Sequence, residues 1–150
     1  MYLAPHPKRY PKLMKSSFEK LADIEGDDSG EIDDIEEIYD LVDLFFEENS
    51  PLDSKDIRVL ISLFEKFPVD YYSHVFWNIL HGLEHVGGYE SELLASLERK
   101  PSCMVITMLG RMINSDIIRH SGVSIIDEIK KIANNSSIHA DISERASSVI

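Results

Sequence analysis

The stretch 69–86 (VDYYSHVFWNILHGLEHV) constrains the fold more than any other. At the helical step of about 100° per residue, Val75, Phe76, Ile79, Leu80, Leu83 and Val86 share one broad face. His74, Trp77, Asn78, His81, Glu84 and His85 share the other. The apolar face is a core face. The opposite one is unusual, because it sets the single Trp beside three His and an Asn where a solvent face would carry Lys and Glu. The segment is expected to be a helix at the centre of the chain.

The same periodicity recurs between Pro and Gly breaks. Pro5, Pro7 and Pro11 predict an extended start over 1–11. Pro11 suits the first turn of a helix over 12–24, with Leu13, Phe18 and Leu21 inward. That helix is basic through Lys12, Lys15 and Lys20 and follows Lys8 and Arg9, so the segment is expected to lie against the acidic stretch after it. Residues 26–30 break the chain before a helix from Glu31 or Asp33 to Glu48, with Ile32, Ile35, Tyr39, Val42 and Phe46 as its inner stripe. Helices are then expected over 54–66, through Trp77, from Tyr89 to before Pro101, over 102–114, over 124–133 and from about Ala140 to the end, with a connector over 115–122.

The first helices of the later pairs start near residues 54, 89 and 124, a spacing of about 35 that falls among helical-hairpin repeats. The expected fold is all-α: antiparallel helix pairs stacked as a small, right-handed α-α superhelix of HEAT type, with a compact bundle as the alternative. Residues 142–146 (ISERA) resemble the second helix of a HEAT unit. One domain is expected over 1–150, made of the extended start, an acidic region over 21–54 and three helix pairs over 54–150. A chain of this length buries roughly 70% of its unfolded surface without staples. The lone Cys103 reads as a packing thiol in a reducing compartment, and no apolar run suits a signal peptide or a membrane span, so a cytoplasmic protein is expected.

Charge is distributed unevenly. The net charge is −12, and residues 21–54 hold 14 Asp and Glu with no Lys or Arg, whereas the rest of the chain holds 13 acids against 15 bases. Such a balance argues against direct nucleic-acid binding, which requires a basic footprint. It favours a basic partner steered by the acidic field, or, more plainly, a solvated face that aids solubility. Asp33, Glu36, Glu37, Asp40, Asp43 and Glu47 recur at helical spacing on the outside of the second helix. Like charges one turn apart cost a few tenths of a kcal/mol each, so a helix that carries them along its length points to a use for them.

Three motifs bear on chemistry. His81-Gly-Leu-Glu84-His85 matches the H-x-x-E-H pattern of inverted zinc peptidases, with His81 and His85 one turn apart and Glu84 placed as a base. Those enzymes are larger and take a further Glu downstream, which Glu128 and Glu144 do not match in pattern. Residues 25–36 resemble an EF-hand loop: Asp27, Ser29, Gly30, Ile32, Asp33 and Glu36 fall at its third, fifth, sixth, eighth, ninth and twelfth places, but the first ligand is Glu25 and no second loop pairs with it. The plainer reading is an acidic turn. The third is the face of Trp77, His81 and Glu84, which is either covered by a neighbouring helix or an interface anchor. No nucleophile with a partnered base and no glycine-rich phosphate loop is recognisable, so neither catalysis nor a cofactor is expected.

The segments 60–68 (LISLFEKFP), 77–84 (WNILHGLE) and 111–115 (RMINS) resemble small helical immunity proteins of bacterial toxin systems, those of contact-dependent growth inhibition and polymorphic toxins among them, over roughly 57–150. The resemblance implies a non-enzymatic antitoxin that binds one cognate toxin domain, often a basic nuclease. Its partner-binding residues would then be Asp33, Glu36, Glu37, Asp40, Asp43 and Glu47, with Trp77, His81 and Glu84 beside them. A HEAT-like interaction scaffold and a calcium-responsive module are the competing expectations.

Overall fold

Side-chain caps fix where many of the helices begin. In the computed structural model, which describes residues 16–30, 32 and 34–150, Ser16 accepts the Glu19 amide at the head of α1 (Ser17–Ala22). Asp53 and Asp56 cap α3 (Ser54–Lys66) reciprocally, each carboxylate accepting the other residue's amide. Ser102 and Ser124 do the same work for α6 (Cys103–Asn114) and α7 (Ile125–Ala133), accepting from Val105 and Asp127. The remaining helices are α2 (Ile35–Asn49), α4 (His74–Val86), α5 (Glu90–Arg99) and α8 (Ala140–Val149). Gly87, at φ 79°, ends α4 in the left-handed region that glycine alone enters freely.

The fold is all-α among the described residues apart from one short ribbon. Helix α1 packs on α2 and α3, and α3 on α5; α2 packs on α4, and α6 on α8; α5 meets α6 and α7 meets α8. Helix α3 also meets α4 and α6, and α6 meets α7, so the helices pack as a compact all-α body in which the like-numbered stacking of a row of pairs holds for α1–α3–α5, α2–α4 and α6–α8. The boundaries of α3, α5, α6, α7 and α8 agree with the sequence expectation to within a residue or two.

The most enclosed element is α6 and not the Trp77 helix. Every residue from Ser102 to Gly110 is buried, whereas α4 buries only its Val75, Phe76, Ile79, Leu80 and Leu83 face and leaves Val86 exposed. Thr107 is tolerated there because its hydroxyl donates to the Cys103 carbonyl at 2.7 Å.

Three other expectations need correcting. Helix α1 starts at Ser17, not Lys12, and Lys8, Arg9, Lys12 and Lys15 lie outside the described residues. The buried stripe of α2 is Ile38, Val42 and Phe45; Ile35, Tyr39 and Phe46 are only half-buried. Tyr39 and Phe46 face α4, where Tyr39 meets the His74 ring at 5.4 Å and Phe46 lies over the Cα of Gly82. Ile32 and Val42 of the expected stripe are buried, but the floor runs through Ile38 and Phe45, one residue before Tyr39 and Phe46. The 115–122 connector contains a ribbon, β1 (Arg119–His120) against β2 (Val123–Ser124), turned by Ser121 and Gly122 at φ 49° and 80°.

Two consequences are testable. A Cβ on Gly110 would stand 2.9 Å from Cβ of Val149 on α8, an atom that cannot move without its helix. Gly110→Ala should therefore destabilise the chain by about 1–3 kcal/mol in urea unfolding, outweighing the gain of up to about 1 kcal/mol in helix propensity. Burial pushes the Cys103 thiol up to about 12 from 9.0. The folded state thus favours the neutral thiol, so its contribution is intact below pH 9 and is lost as pH rises toward 12. Cys103→Ala should flatten the alkaline limb of the stability profile in that window, whatever it costs in packing.

Candidate functional site

Helix α2 sorts its residues by direction. With Ile38, Val42 and Phe45 in the core, Glu36, Asp40, Asp43 and Glu47 fall within a narrow arc on the far side, and all four are exposed. Glu37 and the exposed Leu44 flank them. Asp33, the sixth acid expected on this face, lies outside the described residues.

Among the described residues none of Glu36, Glu37, Asp40, Asp43 and Glu47 forms an ion pair; Asp43 accepts only the Asn78 amide at 3.3 Å. Carboxylates elsewhere in the acidic window have internal work. Glu48 accepts the Ser17 hydroxyl at 2.6 Å and holds α1 to α2. Asp28 pairs with Lys100 at 2.6 Å, and Lys66 closes the end of α1 by donating to the Leu21 and Ala22 carbonyls at 3.3 and 2.6 Å. Burial lowers the Lys66 pKa.

Trp77, His81 and Glu84 come together on α4, but on terms set by α6. Arg111 of α6 makes a two-point bond to Glu84 at 2.8 and 2.9 Å and places its guanidinium carbon 6.0 Å over the Trp77 ring. Trp77 is half-buried against the core, and its indole N–H donates to the Tyr71 carbonyl at 2.8 Å. The Glu84 bond raises the Arg111 pKa. His81 is exposed, with Nδ1 3.9 Å from Glu84. The corner is therefore a packed Trp and a satisfied ion pair with one imidazole standing free of the core. The sequence reading missed Arg111 as a partner for this face; its signal was a lone cation in the apolar run of α6.

The other motifs are placed as follows. In the 25–36 loop Asp27 accepts the Ser29 amide and hydroxyl at 3.1 and 3.3 Å, an Asx turn, and the Asp27 amide donates to the Lys66 carbonyl at 2.8 Å. Glu25 is exposed, and Glu31 and Asp33 lie outside the described residues. In the H-x-x-E-H segment Glu84 is held by Arg111 while His81 and His85 are exposed. Among the described residues no three His, Cys, Asp or Glu side chains converge on one point, and no helix is long and apolar enough to cross a membrane.

Comparison of the chain with protein-family models, with curated proteins and with solved structures gave no match.

The Arg111 bond is partly exposed, so its worth is modest. Arg111→Met should cost about 1 kcal/mol or less in denaturant unfolding. It should also shift Trp77 emission to the red and raise its quenching by iodide, because the guanidinium that covers one side of the indole is gone.

Proposed function

We propose that the chain is an inhibitor of the immunity-protein kind, a cytoplasmic, non-enzymatic binding module that neutralises a cognate toxin domain, a nuclease above all. The observation that carries this reading is the α2 arc: Glu36, Asp40, Asp43 and Glu47 exposed together with no ion pair among the described residues, while Glu48, Asp28, Glu65 and Glu84 are all engaged within the protein. A surface that binds phosphates is basic, and a helix of fixed carboxylates is its electrostatic complement. Docking there would block the phosphate track of a nuclease without contacting its chemistry.

The roles divide by physical type. Glu36, Glu37, Asp40, Asp43 and Glu47, with Asp33 beside them in sequence, would accelerate encounter. Leu44, exposed by 41% beside those acids, offers an apolar anchor at the margin of the contact. His81 and the outer edge of Trp77 would extend the contact onto α4, which α2 touches directly. Glu84 contributes through Arg111 by holding the Trp77 corner rigid.

Co-purification with the product of the adjacent reading frame is the direct test, and one stoichiometric partner is the expected result. With that partner in hand, the association rate should fall steeply with salt, and the double substitution Asp40→Lys with Asp43→Lys should lower it about tenfold or more. A rate indifferent to salt and to charge reversal would remove the acidic arc from the mechanism.

A further inference from the structure

A groove of about 1140 Å³ lies next to the acidic arc, between the loop after α1 and the first turns of α2. Small-molecule pockets hold about 300–1,000 Å³, so this volume suits a segment of polypeptide. On the α2 side the lining is Asp34, Glu37, Ile38 and Leu41, which stand at i, i+3, i+4 and i+7 and share one face of the helix. The loop side supplies Ile24, Glu25 and Asp27, and Phe67 enters from the end of α3.

The loop wall is pinned at three places. The Asp27 amide donates to the Lys66 carbonyl at 2.8 Å, and Asp28 pairs with Lys100 at 2.6 Å. Gly26 lies so close to the Lys66 backbone that a Cβ has no room there. The groove is therefore built into the fold.

Its lining is mixed in character. Ile24 and Leu41 are half-buried, and Ile38 and Phe67 are buried. Glu25, Asp34 and Glu37 are exposed, and among the described residues their carboxylates make no ion pair. Asp34 begins α2 without capping it through its side chain. Lys20 is the one cation in the lining. Apolar side chains and uncompensated carboxylates thus come from both walls. A segment that fits must carry an apolar stripe with cations on both sides of it. An extended strand turns every second residue away from the surface it covers, so its cations would face outward. A helix meets the requirement, with apolar residues at i, i+3, i+4 and i+7 and Lys or Arg bordering them.

We propose that this groove seats a basic amphipathic helix of the protein's partner. The assignment rests on the inhibitor reading and deepens it: the acidic arc steers the partner in, and the groove grips one helix of it.

The test needs no partner protein. A capped peptide of about four helical turns, made of Lys, Leu and Ala with its leucines on one stripe, is titrated into the isotope-labelled chain and followed by amide NMR. A second peptide of the same composition has its leucines scattered around the helix. The amphipathic peptide should shift the amides of 24–29 and 34–41 saturably, and the scattered one should bind about tenfold more weakly. Glu25→Lys with Glu37→Lys should weaken the amphipathic peptide about tenfold, whereas Asp40→Lys with Asp43→Lys, outside the groove, should weaken it by no more than about threefold. Equal binding of the two peptides, equal effects of the two charge reversals, or shifts that saturate elsewhere would overturn the groove and leave the acidic arc in place. Shifts of the same amides on Lys8→Glu with Arg9→Glu, with no peptide present, would overturn the partner by giving the groove to the chain's own basic start. Saturable peptide binding beside a failed co-purification would keep the groove and sink the inhibitor reading.

Discussion

The carboxylate of Asp70, almost wholly buried, organises the part of the molecule where loops and helices meet. One oxygen accepts the Ile32 amide at 3.1 Å and the Ser73 hydroxyl at 2.6 Å; the other accepts the Tyr72 and Ser73 amides at 3.1 and 3.0 Å. A buried carboxylate without such partners would cost several kcal/mol, so four donors to one group tie their backbones to each other. The Ile32 bond reaches across 38 residues of sequence and draws that side chain into the core just ahead of α2. The Tyr72 and Ser73 bonds set the entry of α4. The entry of α4, and with it the place of Trp77 and of the two tyrosines before it, follows from where these bonds put the chain.

The acidic arc persists because the other side of the same helix outweighs it. Its close carboxylates repel by a few tenths of a kcal/mol per pair. Val42 and Phe45 are completely buried and Ile38 nearly so, and each such side chain contributes about 1.5–3 kcal/mol relative to exposure. Burial decides the fold and leaves the charges free to be set by something else. The outer face of α7 mixes both signs instead, with Glu128 and Lys131 paired at 2.7 Å.

What was legible in the sequence was local. Helix ends at Pro51, Pro68, Gly87 and Pro101, and the apolar lines of α3 and α5, depend on neighbours within one or two turns, and they were read correctly; the α4 line held except at Val86, which is exposed. The direction of the α2 stripe was less legible, because Tyr39 and Phe46 repeat at the same period as the true floor and differ only in having α4 beside them. The ribbon over 119–124 escaped because two-residue strands are too short to show alternation. Asp70, Arg111 and Arg145 were illegible as partners. Their meaning lies in bonds to Ile32, Glu84 and Thr107, each 27 residues or more away.

Tyr71 ties two helices to the loop before α4, since its ring carries Arg145 of α8 and its carbonyl receives the Trp77 indole N–H of α4. Asp70 pins the segment from within, Tyr72 is bonded to it from outside, and Arg145 is held in turn by the buried Thr107. A signal passing along the segment would need an element with two arrangements. These bonds hold it in one.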